Sequence, residues 1–265
     1  MLALGASVGQ YIVERVIGRG GMATVYRVRH RDLGTQHALK VLHVQRRGLR
    51  ERFLQEGRLQ ANIRHPNLVA VTDVVWSGEH PGLVLELVDG PTLADVVAQG
   101  PLPVTEALRL FRQIVDGVHH AHAQGLVHRD LKPQNVLLGT GTDGLRQARV
   151  ADFGIAKVLA GSEEPALTRS GMPIGTPRYM APEQIRDASR VDARADIFSL
   201  GCILYEMVCG AIRCRAPTSS RCTIRRCRAA TPTRRARLSC RRRRPSRFAE
   251  PSREIAAAGF RTAAP

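Results

Sequence analysis

The feature that most constrains the fold is a polar stretch of eight residues, 128–135, with the sequence His-Arg-Asp-Leu-Lys-Pro-Gln-Asn. It lies between two apolar runs, Gly-Leu-Val before it and Val-Leu-Leu after it. Apolar flanks anchor a polar loop against a core and fix where its side chains point. Asp130 can accept a proton, Lys132 can neutralise a developing negative charge, and Asn135 can hold a metal ion through its side-chain oxygen. These groups suit phosphoryl transfer, in which positioning and electrostatics supply nearly all of the catalysis.

The same eight residues match the catalytic-loop pattern H-R-D-L-x-x-x-N of protein kinases without a gap. The chain therefore resembles the bacterial protein Ser/Thr kinases of the eukaryotic-like type. The resemblance implies an α+β, two-lobed protein kinase fold, with a small β-rich N-lobe over residues 1–88 and a larger helical C-lobe from residue 89, incomplete after about residue 210. It also implies transfer of the ATP γ-phosphate to Ser or Thr hydroxyl groups, with Asp130 and Lys132 as the catalytic residues.

An Asp-Phe-Gly motif begins at Asp152, 17 residues after Asn135. Three residues alone prove little, but their place after the catalytic loop strengthens the resemblance. The resemblance makes Asp152 and Asn135 the ligands of Mg²⁺, which favours few carboxylates together with phosphate oxygens. It also places Phe153 beneath the helix that carries Glu56.

A glycine-rich segment follows the first strand-like run, residues 8–16. It matches the kinase pattern G-x-G-x-x-G-x-V except that Ala23 replaces the third glycine. Such a loop also suits an ordinary hairpin, but here it lies between two strand-like runs and not between a strand and a helix, as in a dinucleotide fold. Glycines let the backbone approach phosphates closely. The resemblance implies an ATP site formed by Ile17, Gly18, Gly20, Val25, Ala38, Lys40, the backbones of Glu86 and Val88, and Leu137.

Lys40 lies inside an apolar strand predicted over residues 37–42. An unpaired buried charge is very costly, so this lysine needs a partner or a ligand unless it extends to solvent from an edge strand. A helix is predicted over residues 46–63, and its Glu56 resembles the glutamate that pairs with this lysine in kinases. The alternative is that Glu56 is a solvated i,i+4 partner of Arg52.

Two more strands are predicted over residues 68–76 and 82–88, which gives the N-lobe five strands and one helix. Helices follow over residues 92–98 and 104–124, and the second has an apolar period through Leu108, Phe111, Ile114, Val115, Val118 and Ala121. Three histidines lie near the end of this helix. One interpretation is that they bind a metal ion, and the other is that their side chains are solvated or packed. These residues are His119, His120 and His122.

Residues 157–179 form a long polar segment typical of an activation loop. Thr168 and Ser170 are candidate phosphosites, and a phosphate there would pair with Arg129. The alternative is that both are ordinary loop hydroxyls. The resemblance makes Thr176, with Lys132, a mark of the Ser/Thr class. The other supporting residues that it implies are Phe153, Glu183 and Asp196, the last on a helix predicted over residues 192–208 and expected to hold the catalytic-loop backbone.

The net charge of +17 is concentrated after residue 210. Residues 211–265 contain 16 arginines, no lysine and two acids, a net charge of +14, whereas residues 1–210 carry +3. Large aliphatic residues are sparse over 211–244, so that stretch cannot bury enough apolar surface to offset its ordering entropy. We therefore expect it to be poorly ordered and to leave the preceding helix partly exposed, at Ile197, Leu200, Ile203, Leu204 and Met207.

Two interpretations of residues 211–265 remain open. One is an Arg-rich tail that binds nucleic acid, an acidic membrane surface or an acidic partner. The other is a reading-frame change near residues 210 and 244 in a gene of G+C-rich codons. Residues 245–255 favour the second, because they resemble the last kinase segment, in which Arg247 would pair with Glu183.

The sequence also sets expectations for location and partners. It has no run of about 18 apolar residues and no secretory signal, so a cytoplasmic location is expected. The six cysteines lack zinc-site spacing, and disulfides are not expected in that compartment. Expected partners are protein substrates with Ser or Thr and a second copy for autophosphorylation. The alternatives are a catalytically impaired nucleotide-binding scaffold and a protein that binds nucleic acid through its basic tail.

Overall fold

The computed structural model describes residues 1–20, 23–43, 47–153, 177–186 and 191–210; at residues 47–49, 52, 56, 177 and 186 it describes the backbone alone. The N-terminal part is an antiparallel sheet with the strand order β1-β2-β3-β4-β6-β5. Its strands are β1 (Ser7–Val8), β2 (Tyr11–Arg19), β3 (Ala23–His30), β4 (Gln36–Leu42), β5 (Val71–Ser77) and β6 (His80–Glu86). The sequence predicted five strands here, and the sixth is the two-residue β1, which is too short to show a period.

Helix α1 (Arg47–Ala61) lies between β4 and β5 in the chain and packs on the sheet. Phe53 of this helix is fully buried in a cluster with Leu42, Val71 and Leu83. Gly57 makes the close approach possible, because a Cβ atom there would lie 2.5 Å from a methyl carbon of Leu83. Helix α1 is thus held against β6, the last strand of the N-terminal sheet in chain order.

The described residues after β6 are mainly helical. It contains α2 (Leu93–Val97), α3 (Val104–Ala123), the hairpin of β7 (Val136–Thr140) and β8 (Arg146–Val150), α4 (Pro182–Arg186) and α5 (Ala193–Cys209). Thr92 starts α2 with a capping box: its hydroxyl accepts from Asp95 N, and the Asp95 carboxylate accepts from Thr92 N. Asp192 caps α5 by accepting from Arg194 N at 2.8 Å. The α+β composition expected from the sequence is therefore confirmed.

The apolar face of α3 is the centre of the second core, which α2, β7, β8 and α5 complete. Leu108, expected on that face, is 53% exposed, because the buried stripe runs instead through Ala107, Leu110, Ile114, Val118 and Ala121. The stripe follows the side of the helix that meets the β7–β8 hairpin and α5.

Helix α5 corrects one expectation from the sequence. Leu200, Ile203 and Met207 are buried rather than partly exposed, since they share one face that packs in the α3 core. Ile197 is 59% exposed, as expected. Among the described residues, no helix combines the length and the apolar character needed to cross a membrane.

Candidate active site

The polar stretch singled out in the sequence forms a turn that ends in a short 3-10 helix, Pro133–Asn135. Lys132 Nζ lies 2.6 Å from Asp130 Oδ2. Asn135 Nδ2 donates to the backbone oxygen of Asp130 at 2.8 Å and lies 3.4 Å from its Oδ2. Leu131 and Val136 are 1% and 0% exposed and anchor the turn in the core. Lys132 and Asn135, which were expected to act together with Asp130, are thus both within hydrogen-bonding reach of it.

Asp196 of helix α5 holds this loop from below. Its carboxylate is fully buried and accepts the backbone N–H of His128 at Oδ2 and that of Arg129 at Oδ1, both at 2.8 Å. His122 Nε2 donates to Oδ2 at 2.7 Å. The carboxylate thus joins helix α3, helix α5 and the loop backbone at one point.

His122 was singled out only as a candidate metal ligand, and the structure gives it a different contact, to Asp196. The His120 ring stacks on that of His65, with centroids 5.0 Å apart. Within the described ranges, no group of three or more His, Cys, Asp or Glu side chains is arranged to hold a metal ion. The packed alternative therefore fits both histidines better than the metal site.

His128 is fully buried, and both of its ring nitrogens have partners. Nε2 donates to the carbonyl oxygen of Ala151 at 2.9 Å, and Nδ1 accepts the backbone N–H of Asp130 at 3.3 Å. Its ring lies 4.6 Å from that of Phe153, centroid to centroid. One donor and one acceptor require the neutral imidazole. Burial lowers the pKa of His128 accordingly, although Asp196 and other nearby groups oppose that shift.

Stability is expected to fall as the pH drops below the ordinary histidine pKa of about 6.5. Below that pH, His128 of the unfolded chain binds a proton, whereas the buried imidazole of the folded chain stays neutral. The free energy of unfolding therefore falls by up to about 1.4 kcal/mol for each pH unit below it. Thermal unfolding of the chain and of His128→Phe between pH 7.5 and 5.5 measures the difference. His37 and His65, whose pKa values are also lowered by burial, are present in both proteins. Equal slopes in the two proteins would contradict the assignment.

Lys40 of β4 is 8% exposed, and its Nζ lies 2.7 Å from Asp152 Oδ1. The lysine is therefore buried and paired rather than extended to solvent. Burial by itself raises the pKa of Asp152, but the charge of Lys40 and its hydrogen bond hold that pKa below the ordinary value. The carboxylate is consequently ionised. Residue 56 lies in α1 as predicted, but its side chain falls outside the described part of the structure, so the expected Lys40–Glu56 pair remains a prediction.

Two residues of the site have strained backbones. Arg129 and Asp152 have φ angles of 66° and 63°, and they are the two non-glycine residues with positive φ in the described segments. Such conformations cost about 1–3 kcal/mol each and persist where the surroundings enforce them. The hydrogen bond from Arg129 N to Asp196 and the ion pair between Asp152 and Lys40 hold these two residues in place.

The donor set around Asn135 and Asp152 fits Mg²⁺. The backbone N–H of Ala151 donates to the Asn135 carbonyl oxygen at 2.8 Å, so residues 152 and 135 lie at the same end of the β7–β8 hairpin. The hydrogen bonds described for the Asn135 side chain use Nδ2, which leaves its Oδ1 for a ligand. The Asp152 side chain is 37% exposed. A carboxylate and an amide oxygen match the hard oxygen ligands that Mg²⁺ prefers.

The glycine-rich segment joins β2 to β3. Gly18 pairs with Val25, and Val25 pairs in turn with Lys40 of β4, so the predicted loop residues and the lysine share adjacent strands. Gly20 N donates to Ala23 O at 2.9 Å. Residues 21 and 22, at the tip, lie outside the described part.

Three of the four apolar residues expected to contact adenine are only partly covered by protein, and the fourth, Ala38, is buried. Ile17 is 39% exposed, Val25 and Leu137 are half-buried, and Ala38 is 8% exposed. The Glu86 N–H donates to Ala70 O at 2.9 Å. Val88 follows two residues later and is half-buried.

The structure also shows contacts that the sequence did not reveal. Arg149 of β8 forms an ion pair with the Glu86 side chain, which ties the strand before Asp152 to the end of β6. Gln184 Nε2 donates to the Arg129 carbonyl oxygen at 2.5 Å. Both pairs join residues more than 50 positions apart in the chain, and no local pattern marks them.

Several expected residues lie beyond the reach of the structure. Thr168, Ser170 and Thr176 are outside the described ranges, as is Arg247, the expected partner of Glu183. Glu183 itself is exposed on α4. Arg129 Nε is buried without a hydrogen-bond partner among the described residues.

A β-rich part with a paired lysine, followed by a helical part with a carboxylate–lysine loop, is typical of two-lobed phosphotransferases. A family model described as "Protein kinase domain" matches residues 11–257. The chain belongs to this family.

Individual relatives support the same assignment. The chain is 40% identical over 207 residues to the serine/threonine-protein kinase pkn2 of Myxococcus xanthus, an alignment that covers 77% of this chain and 25% of that relative. It is 37% identical over 205 residues to the serine/threonine-protein kinase PknL of Mycobacterium tuberculosis, covering 76% and 49% of the two chains. The solved PknI kinase domain of Mycobacterium tuberculosis is 29% identical with a TM-score of 0.64, covering 83% of each chain.

These comparisons confirm the two-lobed protein kinase fold and the resemblance to bacterial Ser/Thr kinases. The chain spans between a quarter and about half of the length of these curated relatives. The boundary between the lobes near residue 88 remains a prediction. The two interpretations of residues 211–265, a basic tail and a reading-frame change, also remain predictions.

Proposed function

We propose that this chain is a protein Ser/Thr kinase that depends on ATP and Mg²⁺. The observation that carries the proposal is the 2.6 Å contact between Asp130 Oδ2 and Lys132 Nζ, in a loop whose backbone is held by the buried Asp196. A proton acceptor beside a fixed positive charge is the pair that transfer of a phosphoryl group to a hydroxyl requires. Similarity to Ser/Thr kinases over three quarters of the chain supports the same substrate class.

The proposed reaction uses Asp130 as the proton acceptor. Among the described residues, the hydrogen bonds of its carboxylate use Oδ2, so Oδ1 is the atom left to face a substrate hydroxyl. The hydroxyl oxygen forms a bond to the γ-phosphorus while the bond to the ADP oxygen breaks, and the hydroxyl proton passes to Asp130. Lys132, held at Asp130, offsets the negative charge on the moving phosphoryl group.

Lys40 is proposed to orient the α- and β-phosphates, with Glu56 as its partner when the nucleotide separates it from Asp152. Asn135 Oδ1 and Asp152 are proposed to hold Mg²⁺, which supplies charge neutralisation on the phosphates when it is bound. Glycines 18 and 20 are proposed to bring the backbone of the β2–β3 turn close to the phosphates. Ile17, Val25, Ala38 and Leu137 are proposed to enclose the adenine ring between the backbone groups of Glu86 and Val88 and the glycine-rich turn.

Regulation by autophosphorylation is part of the proposal. Thr168 and Ser170 are the proposed acceptors, in a reaction between two copies. Arg129 is the proposed phosphate partner, and its buried, unpartnered Nε supports that role within the described residues. Thr176 and Glu183 are proposed to shape the substrate side. A cytoplasmic location and nucleic-acid binding through residues 211–265 stay predictions from the sequence.

A phosphate-incorporation assay beside a thermal-shift titration separates an active kinase from an impaired nucleotide-binding scaffold. The chain is expected to incorporate ³²P from [γ-³²P]ATP into itself and into a Ser/Thr-containing acceptor with Mg²⁺, and to lose incorporation when EDTA is added. A thermal-shift titration in parallel is expected to show stabilisation of about 2.7 kcal/mol at an ATP concentration 100 times the Kd. Stabilisation by Mg·ATP without incorporation would instead identify a scaffold. Absence of both would contradict the ATP site.

A further inference from the structure

Two imidazole rings stack where the segment between α1 and β5 meets helix α3. The rings of His65 and His120 lie 5.0 Å apart, centroid to centroid, with an angle of 28° between their planes. Both side chains are half-buried and line an open cleft of about 470 Å³. A cleft of that volume admits water, so protons reach the pair directly from solvent.

The hydrogen bonding of His65 requires a neutral ring. Its Nδ1 accepts the backbone N–H of Asn67 at 3.2 Å. A protonated imidazole carries hydrogen on both nitrogens and cannot accept a hydrogen bond at either. Burial lowers the pKa of His65, the neighbouring His120 lowers it as well, and Asp116 opposes the shift. The folded chain therefore favours the uncharged form of His65.

The titratable side chains that face His65 across the cleft all come from α3. They are Asp116, His119 and His120. The remaining residues that line the cleft, Pro66, Asn67 and Ala123, have no titratable side chain. Asp116 also pairs with Arg112 at 3.9 Å. Protonation of both stacked rings would therefore place two positive charges side by side, next to a single carboxylate that Arg112 already partly neutralises.

The segment of residues 65–70 docks on β8 and on the end of β6. Val150 N donates to the Asn67 carbonyl oxygen at 2.8 Å. Ala70 O accepts the backbone N–H of Glu86 at 2.9 Å. The hydrogen bond between His65 and Asn67 N fixes the turn that begins this segment. Loss of that hydrogen bond would therefore loosen the segment where it meets both strands.

We propose that His65 and His120 form a proton-sensitive switch between residues 65–70 and helix α3. While His65 is neutral, ring stacking and the hydrogen bond to Asn67 N keep the segment against α3 and β8. Protonation of His65 in mild acid removes that hydrogen bond, and a proton on His120 as well adds repulsion, so the segment opens locally more often. Because Ala70 O accepts from Glu86 N, opening is expected to lower the affinity for ATP; this consequence alone rests on the proposed function.

Two substitutions separate the switch from simple packing. His65→Asn keeps an acceptor two residues before Asn67, the arrangement of an Asx turn, but does not titrate. His120→Phe keeps a ring in the stack and removes its ability to carry charge. His119→Asn is the matched control, because His119 lines the same cleft without being a member of the stacked pair.

Amide hydrogen exchange of residues 67–70, corrected for the intrinsic effect of pH on exchange, measures local opening. Between pH 7.5 and 5.5, protection in the parent chain is expected to fall further than in His65→Asn, by up to about the tenfold that one proton allows. The fall should be smaller in His120→Phe and unchanged in His119→Asn. His37 and His128, whose pKa values burial also lowers, are present in every variant, so the difference isolates the stacked pair.

Equal pH dependence in the parent chain and His65→Asn, within about twofold, would overturn the switch and leave His65 a packing residue. A His65-dependent fall of the same size in the amides of α3 would also overturn it, because that result identifies global unfolding instead of local opening.

Titration with Mg·ATP at both pH values tests the consequence for the nucleotide. The Kd is expected to rise on acidification more in the parent chain than in His65→Asn. Local opening without that difference would overturn the link between the switch and the ATP site. A chain that binds no ATP at either pH would contradict the proposed function, while the exchange measurement would still decide whether the switch exists.

Discussion

Replacement of Asp130 by asparagine is expected to lower phosphoryl transfer by about 10²–10⁴-fold, the usual contribution of a positioned proton acceptor. The amide is nearly the same size as the carboxylate, so the contact with the Asn135 side chain and the fold of the loop should be kept. It cannot accept a proton at neutral pH, and it removes the negative charge that faces Lys132 at 2.6 Å. The loss should therefore appear in kcat more than in the KM for ATP.

Asp143→Asn is the matched control, since Asp143 is exposed in the turn between β7 and β8. Its transfer rate is expected to stay within about twofold of the parent chain. Binding of ATP, measured by thermal shift, should be the same in both variants and in the parent chain. Full transfer by Asp130→Asn would refute the proposed role, and loss of ATP binding would show that the substitution disturbs the site itself.

Replacement of Asp196 by asparagine is expected to destabilise the fold by roughly 3 kcal/mol or more. The buried carboxylate accepts three hydrogen bonds, from the backbones of His128 and Arg129 and from the His122 ring. The amide has a single acceptor oxygen and turns N–H groups toward at least one of these donors. A buried donor without an acceptor costs about 1–3 kcal/mol.

The predicted loss corresponds to a fall in melting temperature of roughly 6–12 °C for a domain of this size. Differential scanning calorimetry of Asp196→Asn beside Asp116→Asn measures it. Asp116 is exposed on α3 in a surface ion pair with Arg112, so its replacement should change stability by about 0.5 kcal/mol or less. Phosphoryl transfer should fall in Asp196→Asn even below its melting temperature, because the loop backbone loses its anchor. An unchanged melting temperature would contradict the anchoring role.

The parts of the site that the sequence predicts are those whose residues lie close together in the chain. Asp130, Lys132 and Asn135 fall within six positions, and the turn that joins them follows from its apolar flanks. The role of Asp196 was predicted from the resemblance alone. Nothing near it in the sequence indicates that it contacts His128 and Arg129, which lie 68 and 67 positions earlier in the chain. The contacts of His122, Arg149 and Gln184 form only when helices and strands pack, so local patterns could not identify them.

Burial was hard to predict where a helix is apolar on several sides. Helix α5 carries Ile197, Leu200, Ile203 and Met207, and the choice of buried face depends on where α3 lies. In α3 the buried stripe differs from the expected one by one position, because Ala107 is buried and Leu108 is exposed. Glycine is required at position 117 of this helix because the segment around Asn67 comes close: a Cβ there would lie 2.9 Å from the Asn67 carbonyl oxygen.

The two positive φ angles at Arg129 and Asp152 limit how this protein can be engineered for heat resistance. Glycine at position 129 would relieve the backbone strain and is expected to raise the melting temperature by several degrees. It would also delete the proposed phosphate partner. Glycine at position 152 would instead leave the buried Lys40 without the carboxylate that lies 2.7 Å from it, and an unpaired buried charge costs more than the strain relieved. Selection of thermostable variants without an activity screen is therefore expected to enrich glycine at position 129 and to keep Asp152, so the trade-off between stability and regulation is located at one of the two strained residues.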